Sequence, residues 1–323
     1  MRAAVLRRAG GPEVLQIEQL PLPQPVPGEV LIKVEAFGLN RSELFTRRGQ
    51  SPGVELPRVP GIEATGIVID AGGNAVLRPG DKVATVMGGM GRAFDGGYAE
   101  YVQVPVQNVR PVETTLPWPV FGALPEMLQT AWGALFTALG CKAGERLLIR
   151  GGTTSVGLVA AQLANRHGLS VAATTRQPGR LAFLAANGVA HPLLDEGTVA
   201  DAVRDIWPGG ADKVLELVGT GTLYDSLACA RKGGTVCMAG MVGDRWTLPD
   251  FEPMVAIPSG VNLTTYTGDV EDFLAMPLQD LVEAIERGEL EIPLGPVFRL
   301  SEIAEAHRCM EGNQALGKMV VIP

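Results

Sequence analysis

At 323 residues the chain exceeds what one hydrophobic core usually supports, so two domains are expected. It is 46% hydrophobic and 19% charged with a net charge of −8, which excludes a disordered chain and, with no basic stripe, argues against nucleic acid or an anionic membrane as the main partner. No apolar run approaches the ~20 residues that span a bilayer, and the apolar part of MRAAVLRRAGG is too short for a secretion signal, so a soluble cytoplasmic protein is expected.

Residues 1–117 read as β-rich. MRAAVLRR and VLQIEQLPLP form a first hairpin around Gly10, Gly11 and Pro12, and a turn at Pro27 and Gly28 leads into an alternating strand over residues 30–36. Further strands are expected over 63–71, 82–87 and 98–105, separated by the turn sequences GGN, PGD and GG. Short strands with glycine turns at this spacing suggest a partly open barrel. Residues 40–48, NRSELFTRR, interrupt them as a short helix with polar residues near its start. No cysteine precedes Cys141 and no histidine precedes His167, so this region cannot supply a Cys/His zinc site. Cys141, Cys229, Cys237 and Cys309 lack C-x-x-C spacing and read as isolated core thiols.

From Trp118 the texture changes to long helices and buried strands. A helix over 126–139 leads to LLIRGGTTSVG, in which a short apolar run ends in a small-residue turn and a helix over 156–166 begins inside that turn. Strand, turn and helix in this order open a nucleotide-binding βαβ unit, whose helix start offers unpaired N–H groups to a pyrophosphate. Aligned on Gly157, the G-x-G-x-x-G fingerprint keeps Gly152 but has Thr154 at its middle glycine. A plain connection that binds nothing reads the same way. A second strand is expected over 170–175, a helix over 181–187 with Gly188 as its cap, and buried strands over 213–218, 235–238 and 261–266. Strands alternating with helices imply a parallel, doubly wound sheet. Helices over 280–287 and 302–311, a strand near 296–300 and a closing strand over 318–322 suggest a tail that returns to the first domain.

In NAD-binding units of this kind a carboxylate at the end of the second strand hydrogen-bonds the ribose 2′-hydroxyl. Here that position reads Thr174, Thr175, Arg176, with Arg180 four residues on. Arginines and hydroxyls there suit a 2′-phosphate through charge-assisted hydrogen bonds, which favours NADPH; the alternative is a solvated arginine at a strand end.

The segments GLNRSELFTRRG, PGIEATGIV, RPGDKV, GGYAEY, QTAW, RGGTTSVGLVAAQLA, DKVLELVG and HRCMEGNQALGKMVVIP, in this order, resemble the zinc-independent medium-chain dehydrogenase/reductase proteins, in the NADPH:quinone oxidoreductase branch that includes zeta-crystallin. The resemblance covers essentially the whole chain. It implies an α/β protein with a GroES-like β-rich catalytic domain (1–117 and 269–323), a Rossmann domain (118–268), a cofactor in the cleft, and a homodimer formed through the last Rossmann strand. It also implies that Asn40 and Thr130 touch the nicotinamide half and that Gly152, Thr153, Thr154, Ser155 and Val156 hold the pyrophosphate. Arg176 and Arg180 would hold the 2′-phosphate, Gly240, Met241 and Tyr266 the nicotinamide ribose region, and Lys318 would sit near the cofactor. Zinc-dependent relatives carry a cysteine and a histidine in the regions where Arg41 and Ile62 stand, so zinc chemistry is not expected. Phe45 stands where related reductases often carry a tyrosine, so that proton donor is missing.

The resulting expectation is direct hydride transfer from NADPH to a small-molecule quinone, without metal or flavin. Asn40 and Arg41 are the catalytic candidates, and Phe45, Met90, Arg92 and Asp95 the substrate-pocket candidates. Glu43, Arg92 and Asp95 also read as ordinary surface charges, and Met90 as core filling. A 2-alkenal, enone or enoyl-thioester reductase and a non-catalytic NADPH-binding structural protein are the alternatives.

Overall fold

The first hairpin forms from strands β1 (Arg2–Leu6) and β2 (Leu15–Gln19), paired antiparallel across a 3-10 turn at Pro12–Val14, where proline presets φ. The alternating run that follows is a ten-residue strand, β3 (Glu29–Gly38). Next come a helix at Arg41–Arg47 and strands β4 (Glu63–Asp70), β5 (Lys82–Val86), β6 (Tyr101–Pro105) and the short β7 (Val109–Pro111). β6 begins later than the sequence pattern suggests. Residues 98–100 bond β1 instead, with Ala4 N–H donating to Tyr98 O and Glu100 N–H to Arg2 O. The computed structural model describes residues 1–24, 26–313 and 315–323. They divide into two units, Met1–Gln129 with Gly268–Pro323, and Thr130–Thr267.

The second unit is built on six parallel strands: β8 (Arg146–Arg150), β9 (Ser170–Thr175), β10 (His191–Leu194), β11 (Ala211–Glu216), β12 (Ala230–Met238) and β13 (Asn262–Thr265). Their spatial order is β10-β9-β8-β11-β12-β13, the doubly wound arrangement whose carboxyl ends form ligand sites. β8 and β9 are buried almost throughout, which explains their unbroken apolar runs. On one face Leu148, Ala172, Val214 and Val236 pack with Val203, Leu223 and Leu227 from the helices Ala200–Ile206 and Leu223–Cys229. The helix expected over 126–139 is α-helical only over Pro125–Trp132 and widens to a π-helix at Gly133–Ala138. A Cβ on Gly133 would overlap the Tyr266 ring, so glycine there lets the aromatic side chain in against the backbone.

The tail adds β14 (Leu294–Arg299) and β15 (Lys318–Ile322) to the first unit. β15 pairs antiparallel with the end of β3 at Phe37 and Gly38, on the edge that β6 occupies earlier along the same strand. The core of this unit joins β1 residues Ala3–Leu6 to Ile32, Phe37, Tyr98, Ile303 and Met310. Among the described residues no helix is long and apolar enough to cross a membrane.

Candidate functional site

In the second unit the turn after β8 runs Gly151–Thr154 into the helix Ser155–Arg166. Thr154 caps that helix: its Oγ1 accepts from Gly157 N–H at 3.0 Å and donates to Gly151 O at 2.9 Å. The N–H groups of Ser155 and Val156 have no protein acceptor among the described residues and lie at the positive end of the helix. A Cβ at Gly157 would stand 2.8 Å from Gly151 O, so this glycine lets the helix start pack onto its own turn. Gly152, Thr153, Thr154, Ser155 and Val156 therefore form one small-residue cradle, with a fixed cap and free donors, which fits a pyrophosphate. Thr154 fills the place of the middle glycine by serving as the cap.

At the end of β9, Thr174 and Thr175 point inward. Thr174 Oγ1 accepts from Gly151 N–H at 3.1 Å and Thr175 Oγ1 from Gln177 N–H at 3.2 Å, and both side chains are buried. Thr174 braces the turn after β8 and Thr175 the exit of β9, whereas Arg176 is exposed and Arg180 half-buried beyond them. Arg150, fully buried at the end of β8, binds Asp195 through Nε (2.6 Å) and Nη2 (2.9 Å), and also binds Asp225. Glu216, at the end of β11, accepts from Val218 N–H, Gly219 N–H, Thr222 and Ser226. This capture of the Val218 and Gly219 amides ends β11 earlier than the pattern suggests. Gly240 and Met241, both half-buried, follow β12; Gly240 packs against Leu217 at the exit of β11. Tyr266 is buried against Gly133, and Thr130 is half-buried.

In the first unit, Asn40 caps the helix Arg41–Arg47 in a capping box with Glu43, whose carboxylate accepts from Asn40 N–H at 2.5 Å. Lys318, expected near a cofactor, is buried in this unit. Its ammonium donates to Asn40 Oδ1 at 2.5 Å and pairs with Glu63 at 2.9 Å and Glu126 at 3.4 Å. Burial alone would lower the Lys318 pKa, but Glu63 and Glu126 outweigh it and hold it above its ordinary value. Asn40 Nδ2 donates to Glu63 at 2.9 Å, and Glu126 N–H donates to the other Glu63 oxygen at 2.8 Å. A Cβ on Gly38 would overlap Glu63 Oε1 and Lys318 Cε, so the glycine before Leu39 and Asn40 makes room for the ion pair.

The remaining candidates do not gather around this cluster. Arg41 turns to the C-terminal end of the helix Ile303–Glu311, donating to Met310 O at 3.3 Å and to Asn313. Phe45 and Met90 are buried in the unit, so Met90 is core filling. Asp95 is exposed and braces the loop by accepting from Val59 N–H at 3.0 Å and Arg58 at 3.2 Å. Arg92 is half-buried, and its Nε has no partner among the described residues. Glu43, for which a surface charge was one reading, is 1% exposed. Arg47, Arg150, Glu216 and His307 were missed as buried groups because a charged or polar residue in a local pattern reads as solvated, and no local motif marks any of them.

Two family profiles match the chain: "Alcohol dehydrogenase GroES-like domain" over residues 26–114 and "Zinc-binding dehydrogenase" over 187–321. Zinc does not fit the donors present: no group of three or more His, Cys, Asp and Glu side chains among the described residues could hold a metal ion, and Glu63 is engaged by Lys318 and N–H donors. The chain is 31% identical to the quinone oxidoreductase of Homo sapiens, covering 100% of this chain and 98% of that protein. A mycobacterial protein solved in complex with NADPH shares 28% identity, with a TM-score of 0.88 and 100% of both chains covered. The fold is also that of the Escherichia coli quinone oxidoreductase solved with NADPH, at 20% identity, a TM-score of 0.90 and 100% of both chains covered.

Proposed function

Because the chain belongs to the quinone oxidoreductase family of the medium-chain dehydrogenases/reductases, we propose that it oxidises NADPH by direct hydride transfer to a quinone, without metal or flavin. The observation that carries this reading is the capped small-residue turn at the end of β8, with Arg176 exposed at the end of the adjacent β9. The reduced nicotinamide supplies the hydride when bound. In the second unit, the amides at Ser155 and Val156 hold the pyrophosphate and Arg176 with Arg180 the 2′-phosphate, which selects NADPH over NADH. Thr174 and Thr175 support that site from behind. Gly240, Met241 and Tyr266 are the candidates for the nicotinamide ribose region, and Thr130 and, in the first unit, Asn40 for the nicotinamide half. A quinone that accepts hydride becomes an aromatic hydroquinone anion, so the reaction needs little acid catalysis, in keeping with Phe45 where a tyrosine donor would stand. The proposal includes a cytoplasmic homodimer joined through β13, the outer strand of its sheet.

The test is steady-state oxidation of NADPH, with NADH in parallel, against 1,4-benzoquinone, 9,10-phenanthrenequinone and a 2-alkenal. Fast quinone turnover with an NADPH preference that Arg176→Ala reduces by about 10–100-fold supports the reading. Turnover confined to the alkenal replaces the quinone with an enone. Equal use of both nucleotides, unchanged in Arg176→Ala, removes the phosphate clamp.

A further inference from the structure

We propose that Glu43 is a positioning residue for the Asn40 side chain, and that a directional hydrogen-bond chain through Tyr98 and His307 to Arg47 holds Glu43 in place. The inference rests on the reading of Asn40 given above. Arg47 has no acceptor, so the His307 Nδ1 that faces it at 3.2 Å must accept, and the ring proton sits on Nε2. That Nε2–H donates to the Tyr98 oxygen at 3.0 Å, which turns the Tyr98 O–H away from His307 and toward Glu43, whose charge is the largest influence on it after burial. Glu43 also accepts from Ile62 N–H at 3.0 Å, from Asn40 N–H, and from Asn40 Nδ2 at 3.4 Å. Lys318 can only donate, so the Asn40 atom facing it is Oδ1, and the amide group necessarily turns to Glu63 and Glu43.

Every hydrogen bond to the Glu43 carboxylate is therefore one that it accepts. Adding a proton removes the negative charge that strengthens all of these bonds. The longest, from Asn40 Nδ2, is the one released, so protonating Glu43 loosens the Asn40 amide. The charged and titratable groups around Glu43 are Arg47 on its own helix, Glu63 on β4, Tyr98 before β6, Glu126 on the helix Pro125–Trp132, His307 on the helix Ile303–Glu311 and Lys318 on β15. Burial pushes Glu43 up to about 7, and the charge of Glu63 adds to this. Burial and the Arg47 charge push His307 down to about 3, so it stays neutral throughout the neutral range. Burial raises the Tyr98 hydroxyl well above its ordinary value, and it remains a donor.

The test follows the Asn40 side-chain amide resonance and NADPH-dependent turnover from pH 5.5 to 8.5 in wild type, Glu43→Gln and Tyr98→Phe. In wild type the resonance moves with a midpoint near 7, and kcat falls about tenfold from pH 8 to pH 6, as for one ionising group. Glu43→Gln abolishes both pH dependences. Tyr98→Phe, which removes one donor to the carboxylate, moves the midpoint upward, and it decides the matter if Glu43→Gln does not fold. A resonance with the same pH dependence in wild type and Glu43→Gln, or a midpoint unmoved in Tyr98→Phe, overturns the proposal. Titration of Asn40 without any nicotinamide turnover leaves the positioning role standing and removes the proposed function instead.

Discussion

Arg150 in the second unit and Lys318 in the first are both buried cations on β-strands, but their surroundings are satisfied in different ways. The Arg150 guanidinium meets Asp195 through two hydrogen bonds, reaches Gly197 O at 3.1 Å and binds Asp225, which in turn accepts from Val199 N–H at 2.8 Å. Burial alone would raise Asp195, yet the Arg150 hydrogen bonds hold it below the usual carboxylate range, so this group is silent at neutral pH. Lys318 offers one compact ammonium to Glu63 and Glu126, with Glu43 just beyond through Asn40. Carboxylates outnumber cations there, and the surplus appears at Glu43, where burial pushes the carboxyl into the neutral range. A planar fork with many donors can close a buried network; a point charge with three donors leaves one member free to titrate.

The strongest way to break this contrast is Arg150→Met, which strands two carboxylates at the end of the parallel sheet. It is expected to cost about 3–5 kcal/mol in denaturant unfolding at pH 7. A loss below about 1 kcal/mol would mean that Asp195 and Asp225 find other partners and that the network is not closed. Next in size is the acid response of the first unit. Unfolded histidine takes up a proton as pH falls below about 6.5, whereas folded His307 resists until about 3, so stability is full above pH 6.5 and declines as pH falls through that window. Urea titrations at pH 7 and pH 4 should show His307→Gln losing less stability on acidification than wild type, by on the order of a few kcal/mol. Gly38→Ala tests the room made for Lys318 and should cost about 1–3 kcal/mol. An unchanged melting temperature would show that Glu63 and Lys318 can move apart freely. The smallest effect belongs to Thr154→Ala, which removes the helix cap at the nucleotide turn and should cost about 1 kcal/mol while weakening NADPH binding. Calorimetry reads both quantities, and a stability loss with unaltered binding would separate the cap from the cradle.

Much of this was legible in local pattern. The apolar runs of β8 and β9, the turn with Gly152 and Gly157, and the alternation within β3 each encode their element within a few residues. β10, HPLL, went unread because it is short, carries a proline and has neither alternation nor a buried run. The helices Ala200–Ile206 and Leu223–Cys229 are too short to show a period above the noise of composition. The sequence by itself determined the two element textures, the nucleotide-type turn and the arginine at the end of β9, because each depends on residues close together in the chain. Only the tertiary structure decided that Asn40, Glu63 and Lys318 meet, that Arg150 closes on Asp195 and Asp225, and that Thr174 faces inward. A buried charge is tolerable only if distant segments bring it partners, and that desolvation balance is set by packing, which local sequence does not record.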